Sequence, residues 1–345
     1  MILTRLVKAT SGWSPVLRIG MLVVGLALAL GLPWMMYPPI ALDIVAWGLF
    51  AVALDLLLGY TGMLSFGHAA FWGSSAYATG IIAKQVGLPF YFAVLGGALV
   101  VAALALPIAM LCVRRSGIYF AMVTLAFAQM IYFIANQWRA VTGGENGLQG
   151  VPRRFFGVDL TDSFYFYYAA LPLLLLGLLG AWRVVHSPFG RVMVAIRENQ
   201  ARARALGYPV DRYKVQVFVL SAFLAGVAGG VYAVSHGFAS LQEVYWTTSG
   251  KVVVMNILGG MGTLWGPVLG AAIIVQLEDY LATAGIDATN LVTGVIFVVT
   301  VLLFRRGIWG TVRYLVRSRT ATRHDSAADE EDAEAESRPA PARQG

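Results

Sequence analysis

Charge is what this chain has least of. Lys, Arg, Asp and Glu together make up 12% of its 345 residues, about half the roughly 25% of an average soluble domain, which excludes a water-soluble globular enzyme. The few charges leave eight uncharged runs, at 19–42, 56–83, 85–113, 116–138, 163–182, 215–242, 252–277 and 288–304. Most reach the roughly 20 apolar residues that a helix needs to cross the hydrocarbon core. Only helices and closed barrels satisfy every backbone group in lipid, and barrel strands would alternate with a period of two. The fold class is therefore all-α, a polytopic transmembrane helical bundle. Cysteine is nearly absent as well: the single Cys112 can form no internal disulfide, and within its apolar run it is a small buried hydrophobe.

Other absences narrow the function. A loop of the form GxxxxGK followed by Ser or Thr is missing, so the chain has no P-loop for ATP. The glycine-rich stretch Gly259 to Gly266 sits inside an apolar run with no preceding strand and is not a phosphate site. His68, His186, His236 and His324 have no ligand spacing, and neither HExxH nor paired Cys accompanies them, so no metal or other cofactor of the chain's own is expected. Mid-span acids are lacking too. Asp43 and Asp55 flank the second span near its ends, where a carboxylate reaches the headgroups, and Glu278 and Asp279 fall near another span end, whereas an ion-coupled carrier would place an acid at mid-span. The net charge of +7 does not signal nucleic acid, because the basic residues lie between apolar runs and set orientation instead.

What is present is a topology. If the basic N-terminus, Arg114-Arg115, the stretch Arg183 to Lys214 and the tail from Arg305 all face the cytoplasm, the number of spans between neighbours is even. Spans at 19–37, 40–58, 62–83, 91–113, 117–138, 164–182, 215–236, 247–260, 264–283 and 289–304 close the parity at ten. Two of them, 62–83 and 247–260, are short or broken, so the range is eight to ten. The organisation is then a cytoplasmic N-terminus 1–18, a membrane domain 19–304 with an outside loop 139–163 and a basic loop 187–214, and a basic then acidic disordered tail 305–345. The start of the chain has signal-peptide character, with a weak Ala27-Leu28-Ala29 cleavage pattern, but seven further runs make it an uncleaved first span.

Broken segments carry two readings of equal weight, a permeation path, since non-helical backbone at membrane depth must be buried in protein or line a cavity, and tight packing of small-residue helix faces with no ligand. One segment is Gly59 to Tyr77; the other contains Gly259-Gly260-Met261-Gly262 and Gly266-Pro267. In the basic loop, Ser187-Pro188 caps and starts a helix and Gly207 with Pro209 ends it, leaving one cytoplasmic helix from Gly190 to Leu206. Two readings of that helix stand side by side: an apolar face laid in a partner's groove, or a basic amphipathic segment resting on anionic lipid.

Several blocks resemble the permease subunits of branched-chain amino acid ABC importers, specifically the LivM-type subunit. They are Gly59 to Tyr77 (GYTGMLSFGHAAFWGSSAY), Gly117 to Gln129 (GIYFAMVTLAFAQ), Thr142 to Pro152 (TGGENGLQGVP), Ser187 to Lys214 (SPFGRVMVAIRENQARARALGYPVDRYK), Ser221 to Gly230 (SAFLAGVAGG) and Val254 to Gly270 (VMNILGGMGTLWGPVLG). They cover most of the chain from about 40 to 304, in order.

The resemblance implies a type II importer-like bundle in the bacterial inner membrane, with both termini cytoplasmic. It implies a second, LivH-type permease subunit, two cytoplasmic ATPase subunits that hold ATP and Mg, and a periplasmic solute-binding protein. The helix would be the coupling helix that docks on an ATPase, through Gly190, Arg191, Ile196, Arg197, Glu198, Ala201, Ala205 and Gly207; Glu198, Ala201 and Gly207 match the Glu-Ala...Gly pattern of ABC permeases. Gly143, Gly144, Glu145, Asn146 and Gly147 would lie near the binding protein. A weakly polar path would be lined by Ser65, His68, Tyr77, Thr124, Gln129 and Asn256. The expected function is alternating-access import of branched-chain or other amino acids. The alternatives are a related permease for urea, amides or other small solutes, an ion-coupled carrier or channel, and a polytopic membrane enzyme, the last disfavoured by the lack of clustered nucleophile, base or metal ligands.

Overall fold

The computed structural model describes residues 25, 27–155, 158–284 and 294–295. The N-terminal segment 1–18, the tail 305–345, and the expected last span 289–304 apart from its two helical residues lie outside the described residues. Residues 27–35 are helical. After them come α1 (Pro38–Thr61), α2 (His68–Ile81), α3 (Phe90–Cys112), α4 (Ile118–Gln137), the short α5 (Arg139–Thr142), α6 (Ser163–Val185), α7 (Pro188–Glu198), α8 (Gln200–Ala205), α9 (Val210–His236), α10 (Trp246–Gly259) and α11 (Trp265–Thr283). Two-residue strands pair β1 (Leu148–Gln149) with β4 (Phe238–Ala239) and β2 (Arg154–Phe155) with β3 (Val158–Asp159), both antiparallel.

Local chemistry sets the helix ends. Pro38 and Pro39 occupy the first turn of α1, where no intrahelical N–H is lost, and Gly62 at φ 76° ends it. Asp162 accepts from the Phe164 amide at 2.9 Å and caps α6. Gly237, at φ 71°, closes α9.

Five helices among the described residues, α1, α3, α4, α6 and α9, are long and apolar enough to cross a membrane. They divide into a centre and a rim. In α1 and α9, 89% and 78% of the most apolar stretch is buried, against 39, 33 and 28% in α3, α4 and α6. The rim helices turn Phe92, Leu99, Met122, Phe133 and Leu176 outward, as a helix bordering lipid does. Packing at the centre is close: a Cβ on Gly229 of α9 would collide with the backbone of Trp72 on α2. Trp72 stacks against both Trp47 and Phe50 of α1, with ring centroids at 4.9 and 4.6 Å.

The two spans expected to be broken are broken. α10 has 14 residues, about 21 Å of helix against a hydrocarbon core of about 30 Å, and the 14 residues of α2 are followed by a π-helical turn at Ile82–Val86. Residues 62–67, before α2, and 260–264, after α10, are not helical. α10 and α11 form a helical hairpin around that second break, and α10 runs parallel to α1, with Lys251 over Trp47, Asn256 against Ala51 and Gly262 against Asp55. α6, α7, α9, α10 and α11 all pack against α1.

Candidate functional site

The basic segment is a bent pair of helices where one had been expected. Ser187 accepts from the Gly190 amide and Pro188 opens α7, as the sequence indicates. The helix then stops at Glu198, because Asn199 takes an extended backbone (φ −160°, ψ 103°) and its side chain accepts from the Arg202 amide at 2.9 Å, capping α8. Gly207, at φ 84°, ends α8. Val192, Ile196, Ala203 and Val210 form a small apolar core between the segment and the foot of α9. Lys214, buried in α9, donates to Gln200 at 2.9 Å and fixes α8 to the bundle.

That packing sorts the eight expected coupling residues. Arg191, Glu198, Ala201, Ala205 and Gly207 are exposed, together with Arg202, Arg204 and Leu206. Gly190 and Ile196 are buried against the bundle. Arg197 is half-buried and points inward: its guanidinium donates to the Gly59 carbonyl at the end of α1.

The inward end of Arg197 lies where both breaks converge. Gly62 and Gly262, at φ 76° and 74°, turn the chain on either side of it, and a Cβ on Gly262 would sit 3.3 Å from Arg197 Nη1. Asp55 of α1 is wholly buried and accepts from the Gly262 amide through both oxygens, at 2.8 and 3.1 Å. The expectation that Asp55 reaches the headgroups is corrected here: its carboxylate turns into the bundle because the break in the α10–α11 hairpin exposes an amide to it. Thr263 holds the same break, donating to the Gly260 carbonyl at 2.7 Å and accepting from the Gly266 amide at 3.0 Å. Leu264 has φ 58°, the single non-glycine residue at positive φ among the described residues. Such strain persists where the surrounding structure holds it in place.

Deeper in, the first break is stitched by side chains. His68, wholly buried, bonds Ser65 Oγ through Nδ1 at 2.9 Å and Ser221 Oγ through Nε2 at 2.7 Å. Ser221 donates in turn to the Ala53 carbonyl. The amides that the missing helix leaves open are met as well: Phe66 N–H donates to Thr124 Oγ1 at 3.3 Å, Gly67 to Ser65 Oγ at 3.2 Å and Ala69 to Ser249 Oγ at 2.7 Å. Of the six expected path residues, Ser65, His68 and Thr124 thus share one cluster. Asn256 is buried on α10 and donates to the Ala51 and Val252 carbonyls. Tyr77 is buried farther along α2, and Gln129 is half-buried on α4.

At the far end, opposite the basic segment, Gly143 to Gly147 form a tight loop with Gly143, Gly144 and Gly147 at positive φ and Glu145 and Asn146 exposed. The β1–β4 ladder ties that loop to the stretch between α9 and α10. Asp43 lies 3.5 Å from His236, and Glu243 accepts from Ser240 at 3.3 Å. Glu243 Oε2 and Asp43 Oδ1 are buried without a hydrogen-bond partner among the described residues. Burial pushes the Glu243 carboxyl up to about 7, against the opposing pull of His236. Lys251 meets Glu278 and lies over the Trp47 ring at 4.1 Å. Sequence reading placed none of these far-end acids in a cluster, because their partners come from different helices.

Comparison with known proteins gives the chain a context. Residues 36–301 match the family model described as branched-chain amino acid transport system / permease component. High-affinity branched-chain amino acid transport system permease protein LivM of Salmonella typhimurium strain LT2 is 28% identical over 257 residues, 68% of this chain and 60% of that protein. LivM of Escherichia coli K12 matches with the same identity and coverage. Autoinducer 2 import system permease protein LsrC of Klebsiella pneumoniae is 33% identical over 147 residues, 41% of this chain and 42% of its own length. The chain spans 60% of the length of the LivM relatives. No solved structure matches it.

Proposed function

Because this chain belongs to the family of branched-chain amino acid transport system permease components, we propose that it is the LivM-type permease subunit of an ATP-driven importer in the bacterial inner membrane. Its solute is a branched-chain amino acid handed over by a periplasmic binding protein. A second, LivH-type permease completes the path, and two cytoplasmic ATPases, holding ATP and Mg, dock on the basic segment. Transport proceeds by alternating access, with α2 and the α10–α11 hairpin as the elements that change arrangement.

The observation that carries this reading is the bent α7–α8 pair. Its inner face is fixed to the bundle by Val192, Ile196 and Lys214, while Glu198, Ala201, Arg202 and Ala205 stand free on the outer face. A purely lipid-resting segment needs no such anchoring, whereas a lever that receives force does. The similarity to LsrC favours a second reading within the same class, in which the solute is a different small polar molecule.

The test is uptake of radiolabelled leucine by cells carrying this chain with its neighbouring genes, wild type against Glu198→Arg combined with Ala201→Arg. Loss of uptake, with the variant still in the membrane but no longer retaining the ATPase, supports the reading. Unchanged uptake refutes the docking face. Absence of leucine uptake in the wild type, with autoinducer 2 taken up instead, supports the second reading.

A further inference from the structure

The far-side contacts of the basic segment suggest a role for one residue that docking does not explain. Arg197 is the single side chain of α7–α8 shown reaching both breaks. Its guanidinium donates to the Gly59 carbonyl, its Cγ lies 3.0 Å from where a Cβ on Gly62 would be, and its Nη1 lies 3.3 Å from the corresponding point on Gly262. Glycine at 62 and 262 leaves room for the arginine stem and head. Asp55 stands within electrostatic reach of that head and holds the Gly262 amide. α1, the break before α2, the break between α10 and α11, and α7 therefore meet around one arginine side chain, Gly62 against its stem and Gly59 and Gly262 against its guanidinium.

Resting on the importer reading above, we propose that Arg197 is a positioning residue, the pin through which movement of α7 is delivered to both broken segments at once. A residue that merely docked the ATPase would face outward with Glu198 and Ala201. Arg197 faces the other way. A residue that merely filled space would not need a cation, yet the head lies among the Gly59 carbonyl, the Asp55 carboxylate and the Gly262 turn. Arginine suits the position because its planar fork offers several donors in fixed directions, whereas lysine offers a flexible point charge.

The experiment uses the full transporter, this chain with its partner permease, ATPases and binding protein, in proteoliposomes, reading labelled leucine taken up per ATP hydrolysed. Arg197→Ala lowers that ratio about tenfold while the ATPases stay bound, the scale of one broken link in a coupling network. Arg197→Lys restores it to within about threefold. Gly262→Ala leaves Arg197 in place and crowds its head, and it lowers the ratio in the same direction. Two results overturn the pin: an unchanged ratio in Arg197→Ala, or loss of the ATPases from that variant, which makes Arg197 a docking contact. A wild-type assembly that retains no ATPase overturns the importer reading itself, and the pin with it.

Discussion

At its basic-segment end, the short helix α10 runs into a turn whose Gly262 amide is held by both Asp55 oxygens, with Thr263 bonding on either side. At the far end, α10 is entered from the turn bearing Glu243, whose Oε2 is buried without a partner among the described residues, as is Asp43 Oδ1 nearby. The two ends place carboxylates at similar burial in opposite circumstances. One acid is fully used to close a break in the backbone, and its removal leaves a donor stranded. The other has spare capacity, so it responds to protons or to an arriving cation.

Substitutions can break or sharpen this contrast. The largest effect is expected from Asp55→Ala, which strands the Gly262 amide and removes a charged acceptor, at a cost of about 3 kcal/mol. Asp55→Asn keeps one acceptor oxygen and costs less than half as much. Thermal unfolding in detergent reads both, and a wild-type midpoint for Asp55→Ala removes the claim that the acid closes the turn.

Glu243 predicts the opposite sign. Its folded carboxyl titrates near 7 against an ordinary 4.5, so its contribution to stability is greatest below pH 4.5 and is lost as pH rises towards 7. Glu243→Gln is therefore no better than wild type at pH 4 and more stable at pH 8, by roughly 3 kcal/mol at most. Parallel pH–stability curves for the two proteins would remove the far-end difference.

Between the ends, Ser221→Ala takes one serine from His68 and frees the Ala53 carbonyl, costing about 1 kcal/mol at either pH. Smallest is Asp211→Ala. Its partner Arg204 is 2.9 Å away, but both side chains are more than half exposed, and the unfolding midpoint should show a change within about 0.5 kcal/mol.

Much of this architecture is legible in the residues. Pro38-Pro39, the glycines at 59 and 62 and the cluster from Gly259 to Pro267 mark where helices start and break, and the expected spans 247–260 and 264–283 fall within a residue or so of α10 and α11. Ser187 and Gly207 likewise delimit the basic segment. The bend at Asn199 was hidden because an Asn inside a helical pattern is ordinary until its backbone is seen to be extended. Asp55 and Arg197 escaped for a different reason. Their partners are 207 and 138 residues away, and a one-dimensional pattern carries no signal of which distant amide or carbonyl a charge will meet. The β1–β4 ladder was missed because two-residue strands are too short to show alternation.

The central claim is that α7 and the turn at 260–264 move as one body. Spin labels at Ala195→Cys, on α7 but outside the docking residues, and Met261→Cys, on a Cys112→Ala background that removes the chain's single cysteine, report their separation in the assembled transporter by electron–electron double resonance. A second pair, Glu145→Cys with Met261→Cys, spans the two ends. The account predicts that ATP leaves the first distance unchanged and shifts the second. A first distance that changes as much as the second would contradict it.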